Sequence, residues 1–96
     1  MDSEKYILVS HFCAQTQIYI SFVENLQEYG LVNFEKKEND VFIKENDIAE
    51  IEKMFRLHRD LGINFEGLDA ISQMLDRLRR MEKDIMKLQK KLDLYE

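Results

Sequence analysis

Chemistry in this chain would have to start from its histidines, its cysteine or its paired carboxylates. The two histidines, His11 and His58, stand far apart, and neither belongs to a nucleophile–base pattern. His11 and Cys13 are two residues apart. On a helix that puts them about 200° apart around the axis, too far to share one metal ion. Cys13 reads instead as a small core residue. No phosphate-cradling glycine loop is present. Acid pairs such as Glu50/Glu52 and Asp47/Glu50 are what a solvated helix face looks like. These residues argue against an enzyme, and they imply no metal and no cofactor.

The composition narrows the class further. Ninety-six residues with 45% hydrophobic content make one domain able to bury a core. No apolar run approaches the ~20 residues of a membrane span, and no signal-peptide pattern is present. The single cysteine excludes an intrachain disulfide and suits a reducing cytoplasm. No Pro and three Gly fit a helical protein with few sharp turns. Net charge is −5. Residues 1–40 carry seven acids (Asp2, Glu4, Glu24, Glu28, Glu35, Glu38, Asp40) and three bases, net −4. Residues 41–96 carry twelve acids and eleven bases, net −1. An acidic N-terminal part disfavours a phosphate backbone as partner and favours a basic surface.

The elements that would position such a surface can be read in order. Lys5–Val9 is a short β-type run. Ser10 can cap a helix from His11 to about Thr16, followed by a tight turn at Gln17-Ile18. A second helix, about Tyr19 to Tyr29, buries Phe22, Val23, Leu26 and Tyr29. Gly30 ends it as a left-handed cap. Two short helices around a tight turn read as helix-turn-helix. Asn33–Glu35 and Val41–Ile43, around a polar loop at 36–40, read as a β-hairpin wing. A third helix runs from about Glu45 or Asp47 to Leu61, with Asn46 or Asp47 as cap. Its core face is Ile48, Ile51, Phe55 and Leu61, flanked by Met54 and Leu57, and Gly62 stops it.

Asn64 caps a fourth helix of about 31 residues, roughly 46 Å long. Its apolar seam is Leu68, Ile71, Leu75, Leu78, then Met81, Ile85, Leu88, Leu92, Tyr95. The heptad steps break once, between Leu78 and Met81, as in a stammer. The first half is expected to pack on its own head. The stripe Met81, Ile85, Leu88, Leu92 and Tyr95 lies too far out for that and is expected to pair with a second copy in a homodimer. The alternative is a helix folded back on its own domain. The expected organisation is a head over residues 1–63 and a long helix over 64–96.

A winged helix-turn-helix usually binds DNA. Here the second helix would be the recognition helix, yet it has no Lys or Arg and carries Glu24 and Glu28 one turn apart. The counterion-release term that supplies most DNA affinity is missing there. In the wing, Glu35, Glu38 and Asp40 offset Lys36 and Lys37. The basic run Arg77, Arg79, Arg80 and Lys83 is interleaved with Asp76, Glu82 and Asp84, as on a solvated coiled-coil flank.

The order helix-turn-helix, hairpin, helix, long dimerising helix resembles the MerR superfamily. The matching stretches are Glu28-Tyr29-Gly30-Leu31-Val32, Glu45-Asn46-Asp47-Ile48 with Ile51, and Leu61-Gly62-Ile63-Asn64-Phe65. Within it, the chain is similar to the CbpM family of bacterial chaperone modulators. His11-Phe12-Cys13 with Thr16 and Ile18, Val41-Phe42-Ile43, Arg56–Leu61 and Asn64–Leu68 carry that likeness. The fold so implied is mainly α, a MerR-like winged helix-turn-helix with a small hairpin wing and a long C-terminal coiled-coil helix. Against DNA-binding members, Glu24 stands where the second helix carries a phosphate-contacting arginine. Val41 stands where the second wing strand carries another, and Gln17 replaces the glycine of the turn. The cysteines of metal sensors and the effector domain of drug sensors have no counterpart, so no small-molecule effector is expected.

The resemblance implies binding to the J-domain of a DnaJ/CbpA-like co-chaperone. That would block its stimulation of the chaperone DnaK and its DNA binding. J-domains present a basic helix beside a His-Pro-Asp loop, which an acidic protein can cover. The candidate partner-binding residues are Glu24, Gln27 and Glu28, whose plain alternative is an ordinary polar helix face. The competing function is a MerR-family transcriptional regulator.

Overall fold

The computed structural model describes residues 5–95; the acids Asp2 and Glu4, and the outer ends of the 1–63 and 64–96 divisions, lie outside them. The elements are β1 (Tyr6–Leu8), α1 (Val9–Thr16), α2 (Ile20–Glu28), β2 (Glu35–Lys37) and β3 (Asp40–Lys44). A short 3-10 turn (Glu45–Asp47) then leads into α3 (Ile48–Leu61) and α4 (Phe65–Leu94). This is the mainly α winged helix-turn-helix with a long final helix that the sequence implies.

The strands form one antiparallel sheet in the order β1-β3-β2. The hairpin β2–β3 closes through Glu38 and Asn39, both at positive φ (51° and 70°), with Lys37 facing Asp40. Two central residues at positive φ are what a type I′ hairpin turn demands, so the loop is tighter than the 36–40 expected. β1 pairs with the far side of β3, Ile7 opposite Ile43. The sequence shows both as strand-like but not that they pair, because the partners lie 36 positions apart. Val9 leaves the strand for α1. It is buried on one helix face with Phe12 and Cys13, and the helix starts after Leu8 with no side-chain cap. Burial of that face overrides Ser10 as a cap.

The turn between α1 and α2 is tight despite its missing glycine. Gln17 takes the left-handed conformation at φ 62°. The Thr16 hydroxyl donates to the Phe12 carbonyl at 2.8 Å and accepts from the Ile18 amide at 3.4 Å. α2 ends as expected at Gly30, φ 73°. The Gly30 amide donates to the Gln27 carbonyl (3.0 Å) and the Leu31 amide to the Leu26 carbonyl (2.8 Å). That pair of bonds is the Schellman pattern, which needs a residue free to adopt positive φ.

The core joins α2 to everything else. Val23, Leu26, Ile43 and Ile51 are fully buried, with Leu68 of α4 beside them. Phe22 packs edge-on against Phe55 (5.2 Å between centroids) and tilted against His58 and Phe65. His58, not Leu61, continues the core-facing row of α3. Its ring stacks on Phe65, and its Nδ1 lies 2.7 Å from the Ile63 carbonyl. Leu61 is 68% exposed, at the end of α3 where the chain turns away through Gly62. Asn64 caps α4 as expected, accepting from the Gly67 amide at 2.8 Å. An added Cβ at Gly67 would stand 2.7 Å from the Ile63 side chain and 3.1 Å from the capping oxygen, so the cap needs this glycine.

Tyr29 is not in the core. It is exposed at the rim, its ring stacked on Phe65 and its hydroxyl donating to Glu66 at 2.7 Å. That bond raises the Tyr29 phenol above its ordinary pKa. The same bond, with a backbone hydrogen bond, holds the Glu66 carboxyl below its own.

Two outcomes follow for stability. Gln17→Gly removes the left-handed penalty and should raise stability by about 1 kcal/mol, seen as a higher urea midpoint at unchanged slope. A lowered Glu66 pKa stabilises the fold above the ordinary carboxylate range, and that contribution is lost as pH falls through the lowered folded value. Tyr29→Phe should move the Glu66 pKa up and weaken this acid-limb dependence, read by NMR titration of the carboxyl carbon.

Candidate protein-binding interface

The buried face of α2 dictates what its other face can be. Phe22, Val23 and Leu26 point inward, so Ser21, Glu24, Gln27 and Glu28 are left exposed. Glu24, Gln27 and Glu28 line one groove of about 680 Å³ between α2 and the wing. The structure therefore brings these three candidates together, where the sequence only places them on one helix.

The other wall was not among the candidates. Lys36 pairs with Val41 across the hairpin, so these two point to the same side of the sheet, and Phe34 stands one residue before β2. All three line the groove opposite α2. The sequence shows the two runs of the hairpin, but they become a wall only once the register is known. A second, smaller hollow of about 270 Å³ shares Glu24, Phe34 and Val41 and extends past Leu8, Ile20 and Asp40.

The charges around this face are mostly acidic. α2 carries no Lys or Arg along Ile20–Glu28. Lys37 of the wing is turned onto the Tyr6 ring, 4.8 Å from its centroid. On α4, Arg79 reaches Asp76 at 3.1 Å and Glu50 at 3.9 Å. Glu24 also acts inward. Burial first, and then the charge of Glu24, push the Cys13 thiol above its ordinary pKa, away from the thiolate that a reactive cysteine needs. His11 is exposed and Cys13 buried, so the two do not converge. Among the described residues, no cluster of three or more His, Cys, Asp or Glu is placed to hold a metal ion.

The second set of candidates lies on α4. Met81, Ile85, Leu88, Leu92 and Tyr95 are all 45% exposed or more. Leu68 is buried and Ile71 and Leu75 half-buried, but Leu78 is 53% exposed and does not pack on the head as expected. Met74 is exposed too. The exposed row Met74, Leu78, Met81, Ile85, Leu88, Leu92, Tyr95 runs in steps of 4, 3, 4, 3, 4, 3 with no break. At 100° per residue it lies roughly a quarter-turn from the row Leu68, Ile71, Leu75. The apparent stammer is therefore the join between two rows on different sides of the helix. Among the described residues, no helix is long and apolar enough to cross a membrane.

A search of curated proteins finds no significant match. The chain does match the family described as MerR HTH family regulatory protein, over residues 7–90. The span takes in most of β1, the helix-turn-helix, the wing, α3 and most of α4. By that match this chain belongs to the MerR helix-turn-helix family.

Proposed function

We propose that the protein is a non-catalytic chaperone modulator. It binds the J-domain of a DnaJ/CbpA-like co-chaperone and inhibits its co-chaperone activity. The observation that carries this reading is the outward face of α2. Glu24, Gln27 and Glu28 are exposed on a helix without a single cation. A recognition helix of that charge repels phosphate and attracts a basic helix. Its site of action is the cytoplasm.

The working unit is a homodimer, with the head over 1–63 and the C-terminal segment 64–96, which carries α4, serving separate tasks. The exposed row on α4 supports the dimer. Its seven apolar side chains contribute about 1.5–3 kcal/mol each when buried, against an association cost of roughly 4–15 kcal/mol.

A second reading is a DNA-binding regulator, favoured by the family description and by the wing beside the helix-turn-helix. The acidic α2 weighs against it.

Titration calorimetry against a J-domain encoded in the same genome should show binding that weakens with salt, mainly through slower association. Absence of heat up to high micromolar would sink the modulator reading for that partner. Nanomolar, sequence-selective retardation of duplex DNA at physiological salt would favour the regulator instead. In sedimentation, the wild type should be dimeric at tens of micromolar, and Leu88→Asp or Met74→Asp monomeric. A monomeric wild type removes the dimer from the proposal.

A further inference from the structure

The acidic face of α2 does not stand alone, because it borders an apolar strip. Phe34 and Val41 line both hollows between α2 and the wing. Leu8 and Ile20 line the smaller one, and they remain 36% and 46% exposed. Around this strip stand three carboxylates, Glu24, Glu28 and Asp40, against one ammonium, Lys36. Glu24 lines both hollows and so sits midway along the trough.

A surface of this kind selects by two criteria at once. The strip from Leu8 and Ile20 to Phe34 and Val41 rewards apolar side chains placed in a row. The carboxylates reward cations beside that row and penalise anions. A segment with both properties is an amphipathic helix with one apolar edge flanked by Lys or Arg. A nucleic acid strand meets three carboxylates against one ammonium and is repelled.

We infer that the trough between α2 and the wing is the seat of a basic amphipathic helix, whose apolar edge is anchored by Ile20, Phe34 and Val41 and whose cations meet Glu24, Glu28 and Asp40. This rests on the modulator reading and adds to it. The wing becomes half of the interface, and specificity comes from apolar anchoring as well as charge.

The test uses methyl-labelled full chain and three probes. They are a J-domain encoded in the same genome, a synthetic helix of leucine and lysine at amphipathic spacing, and the same peptide with glutamate for lysine. The J-domain and the lysine peptide should shift the Leu8, Ile20 and Val41 methyl signals, and the glutamate peptide should leave them unmoved. Glu24→Lys should weaken both binders about tenfold. Ile20→Ser, on an exposed side chain, and the near-isosteric Val41→Thr should weaken them several-fold while the amide spectrum stays folded.

If the J-domain fails but the lysine peptide binds in the trough, the modulator reading falls and the basic-helix seat stands. If the J-domain binds and shifts only methyls elsewhere, with Ile20→Ser and Val41→Thr silent, the seat is overturned and the modulator reading stands. Binding of neither, or equal binding of the glutamate peptide, overturns the seat.

Discussion

The packing of Phe22 is the contact on which the rest depends. Its ring meets Phe55 and His58 of α3 and Phe65 of α4, so one side chain of α2 ties together three helices. Burial of that ring, with Val23 and Leu26 on the same face, sets the rotation of α2 about its axis. Once that rotation is set, Glu24, Gln27 and Glu28 have nowhere to point except outward. The polar outer face of α2 is thus a consequence of the core, and a helix of opposite outward charge could be built on the same core without disturbing it.

Around that centre the sheet does a second positioning job. β3 lies in the middle, paired on one side with β1 and on the other with β2. Its buried Ile43 anchors the wing to the core, while Val41, two residues earlier on the same side of the strand, reaches the groove. β3 is therefore held from both sides, and Lys36 and Val41 are presented by paired strand backbone, with Phe34 one residue ahead of β2. Side chains on strands keep their spacing better than side chains on a loop.

The long helix divides its apolar residues between two rows. Leu68, Ile71 and Leu75 turn to the head, and Arg79 still reaches Glu50 near the start of α3. Beyond that point α4 has outrun α3. The row from Met74 to Tyr95 begins while the first is still in use, roughly a quarter-turn around the axis. Two rows on one helix let it pack on its own head and present an apolar stripe elsewhere, with no irregularity in the helix itself.

Much of this was written in the residues one at a time. Period and punctuation placed the helices: Gly30 and Gly62 at left-handed ends, Asn64 at a cap, Phe22, Val23 and Leu26 on one face. Charge placed the acids of α2. Each of these depends on neighbours within a turn or two, which a sequence displays directly. Other features were decided only by long-range contacts. β1 joins β3 across most of the head, Val9 turns helical to bury its side chain, and Tyr29 leaves the core for Glu66. His58 takes the place expected of Leu61, and Leu78 joins the outer row of α4. The trough belongs to this second group. Its acidic wall is legible along α2, but Phe34 and Val41 become its other wall only when strand register and sheet packing bring the wing against that helix.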